Sequence, residues 1–351
     1  MVDYLIVGLG LAGIAFCERL EEHDRTFRVV NDDSQTSSNI AGGLYNPVIL
    51  KRFSLAWKAD EQMEMILPFY KTLEDKLGIT LDYRVPVVRI FASVEEQNLW
   101  FEAADKKKLQ PYLSTKLLVN NNPCLRAPFG FGEVLHTGRV DTKGLVKAYS
   151  GYLSKKKLLD EETFNFDDLK IGTNSFSYRT INAKRIVFAT GYGLKSNGYF
   201  NYLPLNGTKG ELLTIHAPRL KEERVIKSSV FIIPIGDDLY RIGATYKWKD
   251  KTNEPTIAAR QELQTKLDTF LNCDYKILNH VAGIRPTVAD RRPLVGKHPV
   301  FNHMYLLNGF GSRGVMIAPY ASDQLYEYIE NGRAINPEMD ISRYDKDYKK
   351  V

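Results

Sequence analysis

Hydrophobic and polar positions alternate along the chain in two ways, one suited to buried strands and one to helices packed on one side. Tyr4 to Val7 form an unbroken apolar run, then Gly8, then Ile14, Cys17 and Leu20 at helical spacing. A short continuous run suits a strand covered on both faces, and the i, i+3 spacing suits a helix lying against it. A second strand reads from "TFRVVNDD", residues 26–33. Helical stretches follow at 57–78, closed by Gly78, and at 94–109, flanking the strand-like "YRVPVVRIFAS". Asp141 or Thr142 is placed to cap another helix. "SFSYRTINAKRIVFATG" predicts a hairpin leading into a buried strand at 186–189. Alternating strands come next in "KGELLTIHAP" and "SSVFIIPIGDDLYRIGATY", with Asp237 and Asp238 at a hairpin turn. A helix is predicted at about 257–271, a strand from Tyr305 to Leu307, and a last helix with Ile317, Ala321, Leu325 and Tyr328 on one face. Parallel-type buried strands interleaved with helices, joined to a run of alternating strands, give an α/β chain with an α+β part.

The length of 351 residues exceeds one small core and predicts two domains, or one interrupted by another. A hydrophobic content of 44% and a charged content of 26% are ordinary for a globular protein. No apolar run approaches the roughly 20 residues of a membrane helix, and Asp3 breaks the pattern of a signal peptide. Cys17, Cys124 and Cys273 lie far apart, with neither metal spacing nor a disulfide framework, which fits a cytoplasmic protein. With six histidines and no HxxxH or CxxC, no metal site is expected. The net charge of +6 suits an anionic partner such as a nucleotide, a carboxylate or RNA, or equally a surface solvated by lysines.

The chemistry begins at "VGLGLAGIAF". Gly8, Gly10 and Gly13 form GxGxxG between a strand and a helix, with Leu11 and Ala12 in the turn. Gly8 permits the turn, Gly10 lets a pyrophosphate reach the backbone, and Gly13 lets helix and strand approach. The helix N-terminus offers free N–H groups and partial positive charge. Asp32, 24 residues after Gly8, is positioned for a ribose hydroxyl pair, with Asp33 the alternative by one register step. The loop that follows, with Ser38, Ala41, Gly42, Gly43 and Leu44, is rich in small residues where a nicotinamide domain would continue into a regular helix. Glycines there would let backbone approach a flat isoalloxazine, so FAD is favoured over NAD. Ala189, Thr190 and Gly191 are small residues where the chain returns past the cofactor. A second glycine loop near the far end, Gly309, Gly311, Ser312, Arg313, Gly314 and Val315, would meet the flavin. A helix starting near Ser312 would point its positive end at the flavin pyrimidine.

Taken together, "IVGLGLAGIAF", "AGGLYNP", "GRVDTKGLV", "IVFATG", "GTKGELL", "IPIGDDLYRIGATY", "GIRPTVADRRPLVG" and "GFGSRGVMIAPYASDQL" resemble the D-amino acid oxidase (DAO) family of FAD proteins, in the family's order and over nearly the whole chain. Within it the chain is similar to the glycine oxidases and to the FAD domain of the bifunctional tRNA 5-methylaminomethyl-2-thiouridine biosynthesis proteins. The resemblance implies a Rossmann-like FAD-binding domain of the glutathione-reductase type, at 1–83, 138–203 and 280–345. A substrate domain with an antiparallel sheet is then inserted at 84–137 and 204–279. It implies oxidation of the C–N bond of a small amine or amino acid, glycine- or sarcosine-like, by hydride transfer to flavin N5. Arg285 falls on the arginine that binds a substrate carboxylate, Tyr246 on a strand position lining the pocket, and Arg313 on a second arginine. No cysteine precedes Thr287 where covalent flavin is attached in sarcosine oxidases, so FAD is expected to be noncovalent.

Each of these residues also has a plainer reading. Arg285 could pair with Asp290, Arg313 could sit in solvent at a helix start, and Tyr246 could be one of 20 tyrosines with no special role. Lys209 reads as a flavin neighbour or, more simply, as a solvated turn lysine, and His136 and His298 read as satisfied rather than catalytic. Two other functions stand beside the amine oxidase. One is a stand-alone oxidase of a tRNA wobble-uridine side chain, from carboxymethylaminomethyl to aminomethyl, which is less favoured because no methyltransferase domain precedes the motif. The other is a flavin-binding protein without turnover. Nothing in the pattern indicates an oligomeric state.

Overall fold

The computed structural model describes residues 1–348 of the chain. Its central strand, Val2–Val7, runs parallel between Phe27–Asn31 and Ile181–Phe188. Leu159–Glu161 continues the sheet on one side, and Met304–Asn308 pairs with the C-terminal half of Ile181–Phe188 on the other. Antiparallel strands Leu294–Lys297, Phe176–Tyr178 and Leu169–Ile171 complete eight. The unbroken apolar run is explained by cover on both faces. Tyr4 and Ile6 pack with the helices Leu11–Glu22 and Gly314–Asn331, while Leu5 and Val7 pack with Phe188, Phe200 and Leu306. The five parallel strands end at one edge, where open α/β sheets bind ligands.

A second sheet has seven strands, in the order Lys276–Arg285, Thr208–His216, Leu239–Gly243, Phe231–Gly236, Val225–Lys227, Val87–Ile90 and Phe131–Val134. Alternation along these strands divides their residues between two faces. Leu213, Ile215, Ile232 and Ile242 pack with Leu263 and Leu267 of the helix Ile257–Asp268. The opposite face carries Gly210, Leu212, Phe231, Gly283 and Arg285, and it looks into a cavity. Asp237 and Asp238, with φ of 52° and 56°, form the expected hairpin turn.

Several elements depart from expectation. The strand Lys276–Arg285 pairs with Thr208–His216 along its whole length, so the expected border at residue 280 falls inside it. Tyr246 lies beyond the end of Leu239–Gly243 and is not a strand residue. The last helix begins at Gly314, not Ser312, because Arg313, at φ −123°, is its cap. The strand Leu159–Glu161 had no sequence signal: three residues of mixed polarity are too few to show a period.

Candidate active site

At the edge of the parallel sheet the glycines have separate tasks. Gly8 adopts φ +101°, and a Cβ there would lie 2.6 Å from the Ala189 carbonyl oxygen, so the first loop and the 189–191 segment touch. A Cβ on Gly13 would overlap the Gly8 carbonyl, so this glycine sets the helix against the strand and stands behind the cavity wall. Gly10, Leu11 and Ala12 are on the wall. The helix they start has no side-chain cap and no acid in its first turn, leaving its positive end for a ligand. The Ser38 hydroxyl accepts the Leu11 N–H at 3.2 Å. Asn31, a residue without a motif to mark it, accepts the Leu9 N–H at 2.7 Å and pins the first loop to the second strand.

Asp32 and Asp33 follow that strand and both reach the cavity. Burial would raise the Asp32 carboxyl, but hydrogen bonds from Ser34 and Thr163 outweigh it and hold the group below its usual range. Ala189, Thr190 and Gly191 line the wall opposite, and the buried Thr190 hydroxyl has no partner among the described residues. A glycine cradle, an uncapped helix end, an ionised acid at a strand end and an orphaned hydroxyl together suit a dinucleotide with its ribose and pyrophosphate.

The cavity, of about 900 Å3, continues from this edge to the antiparallel sheet. Ala41, Gly42, Gly43 and Leu44 lie along it, and the two glycines also meet close protein neighbours. A Cβ on Gly42 would meet Ile233 at 2.8 Å, and Gly43, at φ +72°, faces the Val140 carbonyl. From the other side Gly311, Ser312, Arg313, Gly314 and Val315 close the wall. Gly309 does not reach it. At φ +80° it makes the turn after the last parallel strand, where a Cβ would crowd Val288 and Leu294. Asn308 donates to the Gly191 carbonyl at 2.9 Å, holding the two loops together.

Arg285 and Arg313 meet in this cavity, and neither has an acidic partner among the described residues. Arg285 donates to the Thr245 carbonyl at 3.2 Å and its guanidinium lies 4.3 Å from the centre of the Tyr246 ring. The pairing with Asp290 is not made; Asp290 instead takes Arg343 and Tyr344. Arg313 donates to the Asn46 carbonyl at 2.8 Å. Burial lowers the pKa of both arginines, the mark of cations removed from water. Tyr246 touches the cavity yet is 57% exposed, so it covers the site from its rim.

Lys209 corrects both of its readings. It is fully buried, off the cavity wall, and donates to Asp250 at 2.6 Å, Thr252 at 3.0 Å and the Glu254 carbonyl at 2.5 Å. Its work is to anchor the segment that carries Tyr246. Three wall residues had no clear sequence signal: Lys227, Arg89 and Gly210. Lys227 precedes Ser228 and Ser229 and reads as a solvated turn. A Cβ on Gly210 would overlap the Arg285 guanidinium, so Gly210 is the space in which Arg285 lies. The Gly210–Gly283 pairing, legible only once the register is known, was the missing signal.

Among curated proteins, the chain is 23% identical over 241 residues to the glycine oxidase of Bacillus subtilis (strain 168), covering 63% of this chain and 64% of that one. It is 24% identical over 190 residues to the tRNA 5-methylaminomethyl-2-thiouridine biosynthesis bifunctional protein MnmC of Legionella pneumophila (strain Corby), covering 45% of this chain and 28% of that one. The matches thus span less than two thirds of the length of these relatives. Among solved structures, glycine oxidase from Bacillus cereus ATCC 14579 has the same fold, with a TM-score of 0.78 at 19% identity over 95% of this chain and 96% of that one. The family model described as FAD dependent oxidoreductase matches residues 3–327, and with the fold and the dinucleotide cradle in agreement, the chain belongs to that family, DAO.

Proposed function

We propose that the protein oxidises the C–N bond of a small amine that carries a carboxylate, such as glycine, sarcosine or another amino acid, with noncovalent FAD. The observation that carries this reading is Arg285, a guanidinium held in the cavity with no carboxylate among the described residues to neutralise it. Its planar fork matches a substrate carboxylate in two parallel hydrogen bonds. Tyr246 stacks on it, and Phe231, Ile233 and Leu212 provide the apolar wall that keeps water from the reacting carbon.

The stretches 1–83 and 138–203, with the loops after 285, would hold the cofactor. The 8–13 turn and helix would bind its pyrophosphate, Asp32 its ribose, Thr190 a further polar atom, and 311–315 its flavin end. No cysteine or histidine is on the described wall, which supports noncovalent attachment. When bound, FAD supplies the hydride acceptor at N5. The chain's own part is to orient the α-carbon and favour the neutral amine. The cations Arg285 and Arg313, with no acid on their side of the wall, lower the affinity of a nearby amine for its proton. Water then adds to the imine product and releases an aldehyde or keto acid and an amine. The test supplies sarcosine, glycine and their carboxylate-free counterparts and measures carbonyl product. Turnover confined to the carboxylates is expected; equal turnover of the counterparts would remove Arg285 from substrate binding.

One observation favours a second reading, the oxidation of a tRNA wobble side chain. Tyr246 at 57% and Trp248 at 50% exposure alternate with Lys247 and Lys249 beside the cavity. Alternating aromatic and basic residues suit unpaired bases and phosphates. This reading requires tRNA binding that weakens steeply with salt. The third reading, flavin binding without turnover, has no support in a site that keeps both glycine loops and a free arginine.

A further inference from the structure

The antiparallel sheet brings a third cation into the cavity. Lys227 ends the strand Val225–Lys227, in register with Arg89 on one side and Phe231 on the other. Directly paired residues point to the same face, so Arg89, Lys227 and Phe231 form one row toward the cavity. The Lys227 ammonium lies 4.5 Å from the centre of the Phe231 ring, with no hydrogen bond and no ion pair among the described residues. Arg89 is engaged: it bonds Glu96 at 2.9 Å and the Ser228 carbonyl at 3.2 Å. Among the described residues, Lys227, Arg285 and Arg313 are therefore the cations withdrawn from solvent on this wall without an acid; Lys51, also unpaired, stands exposed at its rim. The acids on the cavity, Asp32, Asp33 and Glu162, all follow the parallel strands Phe27–Asn31 and Leu159–Glu161.

Counting charge decides what such a wall accepts. Bringing cations together out of water is costly unless anions join them. A single substrate carboxylate uses one guanidinium, and the flavin pyrimidine, where charge collects on reduction, uses the helix end at Arg313. Lys227 is left over. Resting on the proposed amine oxidation, we infer that Lys227 binds a second acidic group and that the substrate is an amine bearing two anionic groups, with Arg285 on one carboxylate and Lys227 on the other.

The ammonium of Lys227 is itself pushed down to about 8, first by burial and then by the charges of Arg313 and Arg89; no acidic side chain acts against this. Tyr246 and Arg285 are the remaining titratable groups on that wall besides Lys51. A lysine so placed holds its proton most firmly when an anion lies beside it, so binding a dianion at alkaline pH draws in a proton.

The test is binding, which does not depend on turnover. FAD-loaded protein is titrated with succinate against butyrate and glutarate against pentanoate, by calorimetry and by the shift of the flavin visible band. At about pH 7 each dicarboxylate is expected to bind at least about tenfold tighter than its monocarboxylate partner. In Lys227→Met the ratio is expected to fall to near one, and in Lys227→Arg to persist. In the wild-type protein the ratio should shrink as the pH passes about 8, a measurement that needs no variant. Equal affinities in the wild type, or an undiminished ratio in Lys227→Met, would overturn the inference. Dicarboxylate preference without any amine turnover would sustain the anion site and overturn the amine reading instead.

Discussion

A methyl group on Gly210 would overlap the Arg285 guanidinium, so a residue with no chemistry of its own sets the position of the one proposed to grip the substrate. Gly210→Ala is expected to keep its FAD and lose about 100-fold in kcat/KM for carboxylate-bearing amines, since roughly 1 Å of misplacement costs that much. Flavin content and steady-state rates check it; loss of flavin with unchanged kcat/KM would contradict it. His298 illustrates the opposite kind of residue. It is buried, its Nδ1 accepts the Val300 and Phe301 N–H groups at 3.1 and 3.2 Å, and its Nε2 lies 3.1 Å from the Tyr199 carbonyl. That network is satisfied by the neutral ring with its proton on Nε2, so burial lowers the pKa to about 4 from an ordinary value of 6.5. Because the folded pKa is depressed, the unfolded chain binds the proton first as pH falls. The stability is complete above about pH 6.5 and is lost toward pH 4, by on the order of 3 kcal/mol. Urea denaturation at pH 7 and pH 5, with His298→Gln as reference, should show this loss in the wild type and a smaller one in the variant.

At the scale of elements, the helices Leu11–Glu22 and Gly314–Asn331 begin at the cavity with no cap from their own N-cap side chain and no acid in the first turn, and among the described residues only the Leu11 N–H is taken by a side chain, that of Ser38. Ordinary helices favour Ser, Asp or Asn at that place, so the bare ends suggest that a ligand completes them. Ser312, exposed just before the Gly314–Asn331 helix, is the place to alter this field. Ser312→Asp is expected to make the bound flavin harder to reduce, by about 20–40 mV for a two-electron couple. A dye-coupled redox titration reads the potential, and an unchanged value would take the helix end out of the flavin's environment. The strand-turn-helix at 2–22 and the last helix could be read from sequence because local spacing specifies them. Lys227, Arg89 and Gly210 could not, because their facing depends on a register between strands far apart in the chain. Tyr246 was found by resemblance, yet it sits beyond its strand and covers the cavity from the rim.

For the whole molecule, the cavity exists because two sheets of different logic meet. The parallel one collects backbone N–H groups, an acid and a hydroxyl at its edge, suited to a nucleotide; the antiparallel one turns a row of cations and glycines toward the same space. The first half was legible as GxGxxG with an acid at the end of the next strand. The second was legible only as arginines in an order of motifs shared with the family, because the charge balance of a wall is a property of the folded chain. The account stands on the claim that an amine bound on that wall gives up a hydride to FAD. Anaerobic mixing of the FAD-loaded protein with N-substituted glycines, amino dicarboxylates and free amino acids, followed at the visible flavin band, tests it most directly. The account predicts that at least one carboxylate-bearing amine bleaches the band and that Arg285→Ala needs far more of it to do so. A band left unbleached by all of them, with FAD bound, would contradict small-amine oxidation and turn the test to wobble-modified tRNA.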